Sequence, residues 1–213
     1  MSLTTTTPGY SQRHPVAAAR IRTHRLTPPG APKDTHHHVV SLAEAGLTYR
    51  VGDALGIWAR NPDVLVDAIL ARLGASGSEP VTSGAESVAF RDALSARFDL
   101  SIPSRRLLEA CALQGADAFT PLLQKGNEDQ LKEYLQAHDN VHDVLDVLAD
   151  APLAQFAPQD FVGLLRALQP RLYSIASSQR VHPGEAHLLV LTLTYEVRGR
   201  LRLGVGSTFA NDR

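Results

Sequence analysis

Apolar positions change their spacing twice along this chain of 213 residues. Up to about residue 60, short runs of alternating character are broken by turn residues: the stretch around Ala18, Arg20 and Arg22, then His37 to Val40, then Tyr49 to Val51 running into Gly52-Asp53. Such runs bounded by Gly, Pro and Asp predict strands, with Leu26-Thr27-Pro28-Pro29-Gly30 as a loop. From residue 61 the spacing lengthens. Asn61-Pro62-Asp63 places a capping side chain before a proline in a first turn, and Leu65, Ile69 and Leu73 then recur every four residues. Further helices are predicted over 88–98, 103–113, 127–137, 141–148 and 158–168, and Asn127 with Gln130 resembles a capping box. After that the strand pattern returns. Residues 187–195 read HLLVLTLTY, and Arg198-Gly199-Arg200 gives a turn before Leu201 to Leu203.

Strands must pair to satisfy their backbone groups. Two β-rich segments flanking a helical stretch therefore imply that the two ends pair with each other and that the helices are an insertion. The expected organisation is a disordered lead-in over 1–13, a discontinuous β domain over 14–60 and 169–213, and a helical domain over 61–168. The fold class is α+β.

With 44% hydrophobic residues, the chain can bury a substantial core. A net charge of -1 offers no basic excess for a nucleic acid. Cys111 is the single cysteine and reads as a core thiol. No apolar run approaches the roughly 20 residues of a membrane span, and no secretory signal opens the chain, so a soluble cytoplasmic protein is expected. His36-His37-His38 invites a metal, but neighbours in a strand face alternate sides, so at most His36 and His38 could share an ion. No thiolate or carboxylate stands near them at familiar spacing, and His138 and His142 are separated by the helix-breaking Asp139-Asn140. No metal ligand set is assigned.

The richest chemistry lies in Arg171-Leu172-Tyr173-Ser174-Ile175-Ala176-Ser177-Ser178. A guanidinium suits a phosphate oxygen, a phenol ring offers an apolar plate to a planar heterocycle, and a serine hydroxyl can bond a ring heteroatom. In an extended segment alternate side chains share a face, so bends are needed to present all of these to one ligand. Gly204-Val205-Gly206-Ser207 precedes residues that can open a helix, where glycines admit a close phosphate and exposed N–H groups attract it. That octet after Pro170 closely resembles the FAD-binding motif of the NADPH-dependent diflavin reductases, the sulfite reductase flavoproteins in particular. Tyr49-x-x-Gly52-Asp53-x-Leu55-Gly56-Ile57-Trp58 with Asn61 resembles the early barrel hairpin of that family. Gly204-Val205-Gly206-Ser207 with Asp212-Arg213 resembles its pyrophosphate loop, and the three motifs stand in the family's order from about His14 to Arg213.

The resemblance implies a ferredoxin-reductase-like antiparallel β-barrel that binds FAD, interrupted by a helical connecting domain and lacking its last strand. It places Arg171 on the FAD pyrophosphate, Tyr173 on the isoalloxazine, and Ser174 near the flavin N5 and O4 edge as the catalytic residue. Leu172 falls within the same motif. Leu189, Val190 and Leu191 are implied to contact FAD through their backbone, and Tyr195 to lie near the dinucleotide, although a strand-ending tyrosine in water explains Tyr195 equally well. Gly204, Val205, Gly206 and Ser207 would hold the pyrophosphate. The implied partners are an NADPH-binding domain, an FMN-binding flavodoxin-like domain and a sulfite reductase hemoprotein. Electrons would run from NADPH through FAD and FMN, and the chain alone would not turn over. Two other readings stay open: a reductase module for another acceptor, such as nitrate reductase or a heme monooxygenase, and a helical interaction module whose degenerate barrel binds no flavin.

Overall fold

The computed structural model describes residues 15–136 and 142–212. The lead-in expected over 1–13, together with His14, His138 and Arg213, lies outside them. The described residues divide into two compact units, one made of residues 15–59, 170–195 and 201–212, the other of residues 60–136, 142–169 and 196–200.

The first unit is built from strands. β1 (Arg20–Arg25), β2 (Thr35–Ser41) and β9 (Glu185–Leu191) form an antiparallel sheet in the order β1-β2-β9, so the two ends of the chain do pair. Val39, Val190, Leu188 and Ala186 are buried on this sheet. β1 is exposed along its length and carries Arg20, Arg22 and Arg25, a row of cations that discourages pairing with a foreign strand at that edge. β3 (Ala54–Ile57) pairs with β8 (Arg171–Ser174), and β10 (Thr194–Val197) with β11 (Arg200–Leu203). The expected barrel is not closed among the described residues: three separate sheets stand where one was predicted, because β8 parts from β9 beyond an isolated bridge, Ile175↔Leu188. The predicted strand over 187–195 is two, interrupted at Thr192-Leu193, where Thr192 N–H donates to Asp34 and the Leu193 carbonyl accepts from Gly204 N–H. Gly204 is followed directly by a helix, α8 (Val205–Asp212).

The second unit gathers the helices α1 (Asp63–Leu73), α2 (Phe90–Ala96), α3 (Arg105–Leu113), α4 (Thr120–Leu123), α5 (Glu128–Gln136), α6 (Val144–Asp150) and α7 (Pro158–Leu164) around a core. Val66, Ile69, Phe90, Leu94, Leu107, Leu108, Val147 and Phe161 are fully enclosed there. The buried stripe of α1 is Val66, Ile69 and Leu70, rotated by one residue from the predicted one, with Leu65 and Leu73 at its margins. Asn61 does not cap α1. Its amide donates to the carbonyls of Leu94 and Phe98, both at 2.7 Å, fastening the end of α2 to β6 (Phe98–Asp99).

Other boundaries moved for similar reasons. Val88 and Ala89 belong to a hairpin, β4 (Pro80–Ser83) with β5 (Glu86–Ala89), because Val88 opposes Val81, and the helix begins only at Phe90. The last predicted helix stops at Leu164, since β7 (Arg166–Ala167) pairs with β6. Asn127 donates to the Pro121 carbonyl, whereas a true capping box forms at α6, where Asp143 and Asp146 exchange bonds with each other's backbone. Arg200 pairs with both carboxylates at 2.7 and 2.6 Å, and Arg198 pairs with Asp150, so residues 196–200 of this unit carry three charge-assisted contacts.

Cys111 sits wholly inside this core, and burial pushes its thiol up to about 11. The folded protein is therefore expected to resist thiol reagents at pH 8 and to react only when unfolded. Between about pH 9 and 11 the unfolded thiol releases a proton that the folded one retains, so stability falls as pH rises through that window. Dithionitrobenzoate labelling with and without denaturant checks the first point; a rapid native reaction contradicts it.

Candidate cofactor site

The residues of the octet lie where two strands part. β8 follows β3 in register, with Ala54 opposite Ser174, Leu55 opposite Tyr173, Gly56 opposite Leu172 and Ile57 opposite Arg171. On its other side it meets β9 at the Ile175↔Leu188 bridge, reinforced by Ala176 N–H donating to the His187 carbonyl at 2.8 Å. From that point Arg171–Ser174 runs along one side and Leu189, Val190 and Leu191 along the other. Val190 is buried, while Leu189 and Leu191 are exposed. The two stretches predicted to touch one cofactor thus diverge from a shared bridge.

Alternation along β8 sorts the side chains. Arg171 and Tyr173 are partly buried on one face, and Leu172 and Ser174 are exposed on the other. The first turn of α8 lies against the Arg171 and Tyr173 face. A Cβ at Gly206 would stand 2.5 Å from the Tyr173 hydroxyl and 2.9 Å from Arg171 Cγ, so only glycine fits without displacing these side chains. At Gly204 a Cβ would stand 2.8 Å from both Leu193 Cβ and Ser207 Oγ. Ser207 is buried; its hydroxyl accepts from Leu193 N–H at 3.0 Å and donates to the Gly204 carbonyl at 3.2 Å. It anchors the turn instead of opening toward a ligand. Val205 is buried beside it, and Tyr195 is half-buried on β10. Burial raises the phenol pKa of Tyr173, against a smaller opposing effect of Arg171, so the ring stays neutral.

The structure therefore gathers Arg171, Tyr173 and Gly206, and turns Leu172 and Ser174 to the opposite face. The bends that would bring Ser174 round are not present within β8, which is a regular strand.

Sequence reasoning missed two features. Tyr49 and Ser177 lock the segment after the octet: Ser177 Oγ lies 2.6 Å from Tyr49 Oη and accepts from His187 N–H, while Tyr49 Oη donates to the Glu185 carbonyl at 3.0 Å. Arg202, on β11 two residues before Gly204, is only 6% exposed, and burial draws its pKa below the usual value. The alternation of Arg200 and Arg202 in a four-residue strand was the available signal. The His36 and His38 rings do share a face, stacked at 6.1 Å, but His38 is buried with its two nitrogens directed to Thr23 Oγ1 and Asn211 Oδ1. Burial, offset by the Asn211 bond, lowers its pKa.

These residues suit a dinucleotide. Arg171 supplies a guanidinium and Tyr173 an aromatic ring, and the start of α8 adds backbone N–H groups; the Arg171 and Tyr173 side chains fill the space beside Gly206, so a phosphate at that point requires them to move. A separate depression in the helical unit, between Gln114–Ala118 and Asp150–Ala154, contains none of them.

The sequence profile of the FAD binding domain family matches residues 8–209. The chain belongs to that family. FAD is accordingly its cofactor, and the octet on β8 lies inside the matched region. The flavoprotein alpha-component of NADPH sulfite reductase from Cronobacter sakazakii is 35% identical over 214 residues, covering all of this chain and 34% of that protein. The alpha-component from Vibrio vulnificus is 36% identical over 205 residues, 96% of this chain and 32% of that protein. The one from Bacillus subtilis is 34% identical over 207 residues, again 96% of this chain and 34% of the relative. The chain thus spans about a third of the length of these oxidoreductase flavoproteins, and corresponds to their FAD-binding part. No helix among the described residues is long and apolar enough to cross a membrane.

Proposed function

We propose that this chain is the FAD-binding and connecting region of an NADPH-dependent diflavin reductase that delivers electrons to a sulfite reductase hemoprotein in the cytoplasm. The observation that carries this reading is identity of about 35% along nearly the whole chain to the sulfite reductase flavoproteins of Cronobacter sakazakii and Bacillus subtilis. FAD would accept a hydride and pass on electrons one at a time; the chain's own residues bind and orient it. Arg171 neutralises the pyrophosphate, Tyr173 presents its ring, and Gly204 to Ser207 let the backbone come close. Ser174 offers a hydroxyl to the flavin edge, which requires β8 to bend from its present alternation. Leu172, Leu189, Val190, Leu191 and Tyr195 complete the lining. The strands β3, β8, β9, β2 and β1 form the barrel half, and residues 61–168 serve as the connecting domain that orients an FMN-binding flavodoxin-like domain. In the proposed enzyme an NADPH-binding domain supplies the reductant.

The test is a chimera in which residues 8–209 replace the matching third of the Cronobacter sakazakii flavoprotein. It should hold FAD and support NADPH-dependent sulfite reduction with the hemoprotein of that organism. A chimera that holds FAD and reduces a dye acceptor, yet transfers nothing to the hemoprotein, would refute the assignment of acceptor and leave the cofactor assignment intact.

A further inference from the structure

Immediately after the octet, the chain folds three metal-ligating side chains onto one another. Pro183 and Gly184 form a tight turn, closed by Glu185 N–H donating to the His182 carbonyl at 3.3 Å, with Gly184 at φ +73°. A proline followed by a positive-φ glycine is the signature of a turn that reverses the chain within four residues. The reversal lays the His182 ring beside that of His187, with centroids 4.2 Å apart. Glu185 and His187, two apart on β9, project from the same side of the strand. Glu185 Oε2 lies 3.2 Å from His187 Nε2, and one donor atom from each of the three residues falls within 4.8 Å of the others.

We propose that His182, Glu185 and His187 form a binding site for a divalent transition-metal ion of the zinc class. Zinc takes imidazole nitrogens and carboxylate oxygens at about 2.0–2.2 Å, and two His with one Glu is a set that leaves a fourth position for water. Tetrahedral donors at such bond lengths stand about 3.3 Å apart. The Glu185 and His187 atoms already meet that separation, and His182 closes the remainder by rotating its own side chain on the turn. The site is neither sealed nor fully solvated: the side chains of His187 and Glu185 retain 12% and 28% exposure. Its competitor for the carboxylate is weak, since Arg22 reaches Glu185 Oε2 only at 4.0 Å and is itself largely exposed. His37 packs on His187 from β2, with ring centroids 4.9 Å apart, and shields that side from water.

Position gives such an ion a structural consequence. Glu185 and His187 also carry the backbone groups that bond Tyr49 and Ser177, so coordination would clamp the turn over 182–185 onto the segment that leaves the FAD motif. Imidazole and carboxylate select zinc, nickel or copper over magnesium, which prefers an all-oxygen octahedral shell.

The experiment is a calorimetric titration of the metal-stripped chain with zinc sulfate, with magnesium chloride as control and circular dichroism to verify folding. Wild type should bind one zinc per chain and melt at a higher temperature with zinc present. His182→Ala and Glu185→Gln should each weaken binding by at least about 10-fold, a loss that even an outer-shell change can produce. Neither side chain takes part in the backbone pairing of β9, and His182 lies on the turn, so the two variants check each other if one is perturbed. Cobalt provides an independent readout, as a tetrahedral nitrogen and oxygen site gives visible absorption that the variants should lose. Undiminished zinc affinity in both folded variants, or no stoichiometric zinc in wild type, would overturn the proposal.

Discussion

Replacing Arg171 with alanine weakens FAD binding by at least about 10-fold in a fluorescence-quenching titration, with the fold intact by circular dichroism. Charge-assisted hydrogen bonds contribute about 1.5–3 kcal/mol, which corresponds to roughly 10- to 150-fold in affinity. Arg171 is the cation of the octet, and its Cγ packs where a side chain at Gly206 would otherwise be. In the proposed site its role depends on two features at once: its charge, and the start of α8 packed against its side chain. Lysine at 171 should recover only part of the affinity, because a point charge lacks the planar fork of the guanidinium. Unchanged affinity in Arg171→Ala would remove this residue from the site.

Phe90→Ala destabilises the helical unit by about 3–5 kcal/mol, the range for deleting a large aromatic side chain from a well-packed core. Phe90 is fully enclosed and meets Phe161 edge to face, with centroids 6.2 Å apart and planes at 88°. It also occupies the hinge between β5 and α2, where its N–H donates to the Glu79 carbonyl, so the hairpin and helix share one anchor. Urea denaturation followed by tryptophan-independent far-ultraviolet circular dichroism measures the loss. A shift below about 1 kcal/mol would show that the site relaxes to fill the space.

What the chain revealed in advance was what depends on neighbours in sequence. Strand-like composition bounded by turn residues exposed β2 and β9, and helical spacing exposed α1 to within one residue of its buried stripe. The octet was readable because it concentrates a cation, a ring and hydroxyls in one short strand. Features set by distant residues stayed hidden. Asn61 beside Pro62 has the look of a cap, yet its amide reaches Leu94 and Phe98, more than thirty residues away. Val88 and Ala89 fit a helix until Val81 is seen opposite them. Arg166 and Ala167 become a strand only because Phe98 and Asp99 are beside them. Gly206 looked like a phosphate-admitting glycine, and the structure adds a second reason for it in the close approach of Tyr173. Ser174 was read as part of one constellation with Arg171 and Tyr173, and strand alternation places it on the other face. The cluster of His182, Glu185 and His187 escaped notice because a Pro-Gly turn, and not a fixed ligand spacing, brings the three together.

The most direct test is a titration of the purified chain with FAD, followed by quenching of flavin fluorescence, with FMN as the comparison. The account predicts saturable binding of one FAD per chain and markedly weaker binding of FMN, which lacks the adenylate half and the pyrophosphate that Arg171 and the start of α8 are proposed to hold. A folded chain that fails to bind FAD, or that binds FMN equally well, would contradict the assignment of Arg171, Tyr173 and residues 204–207 to a dinucleotide site.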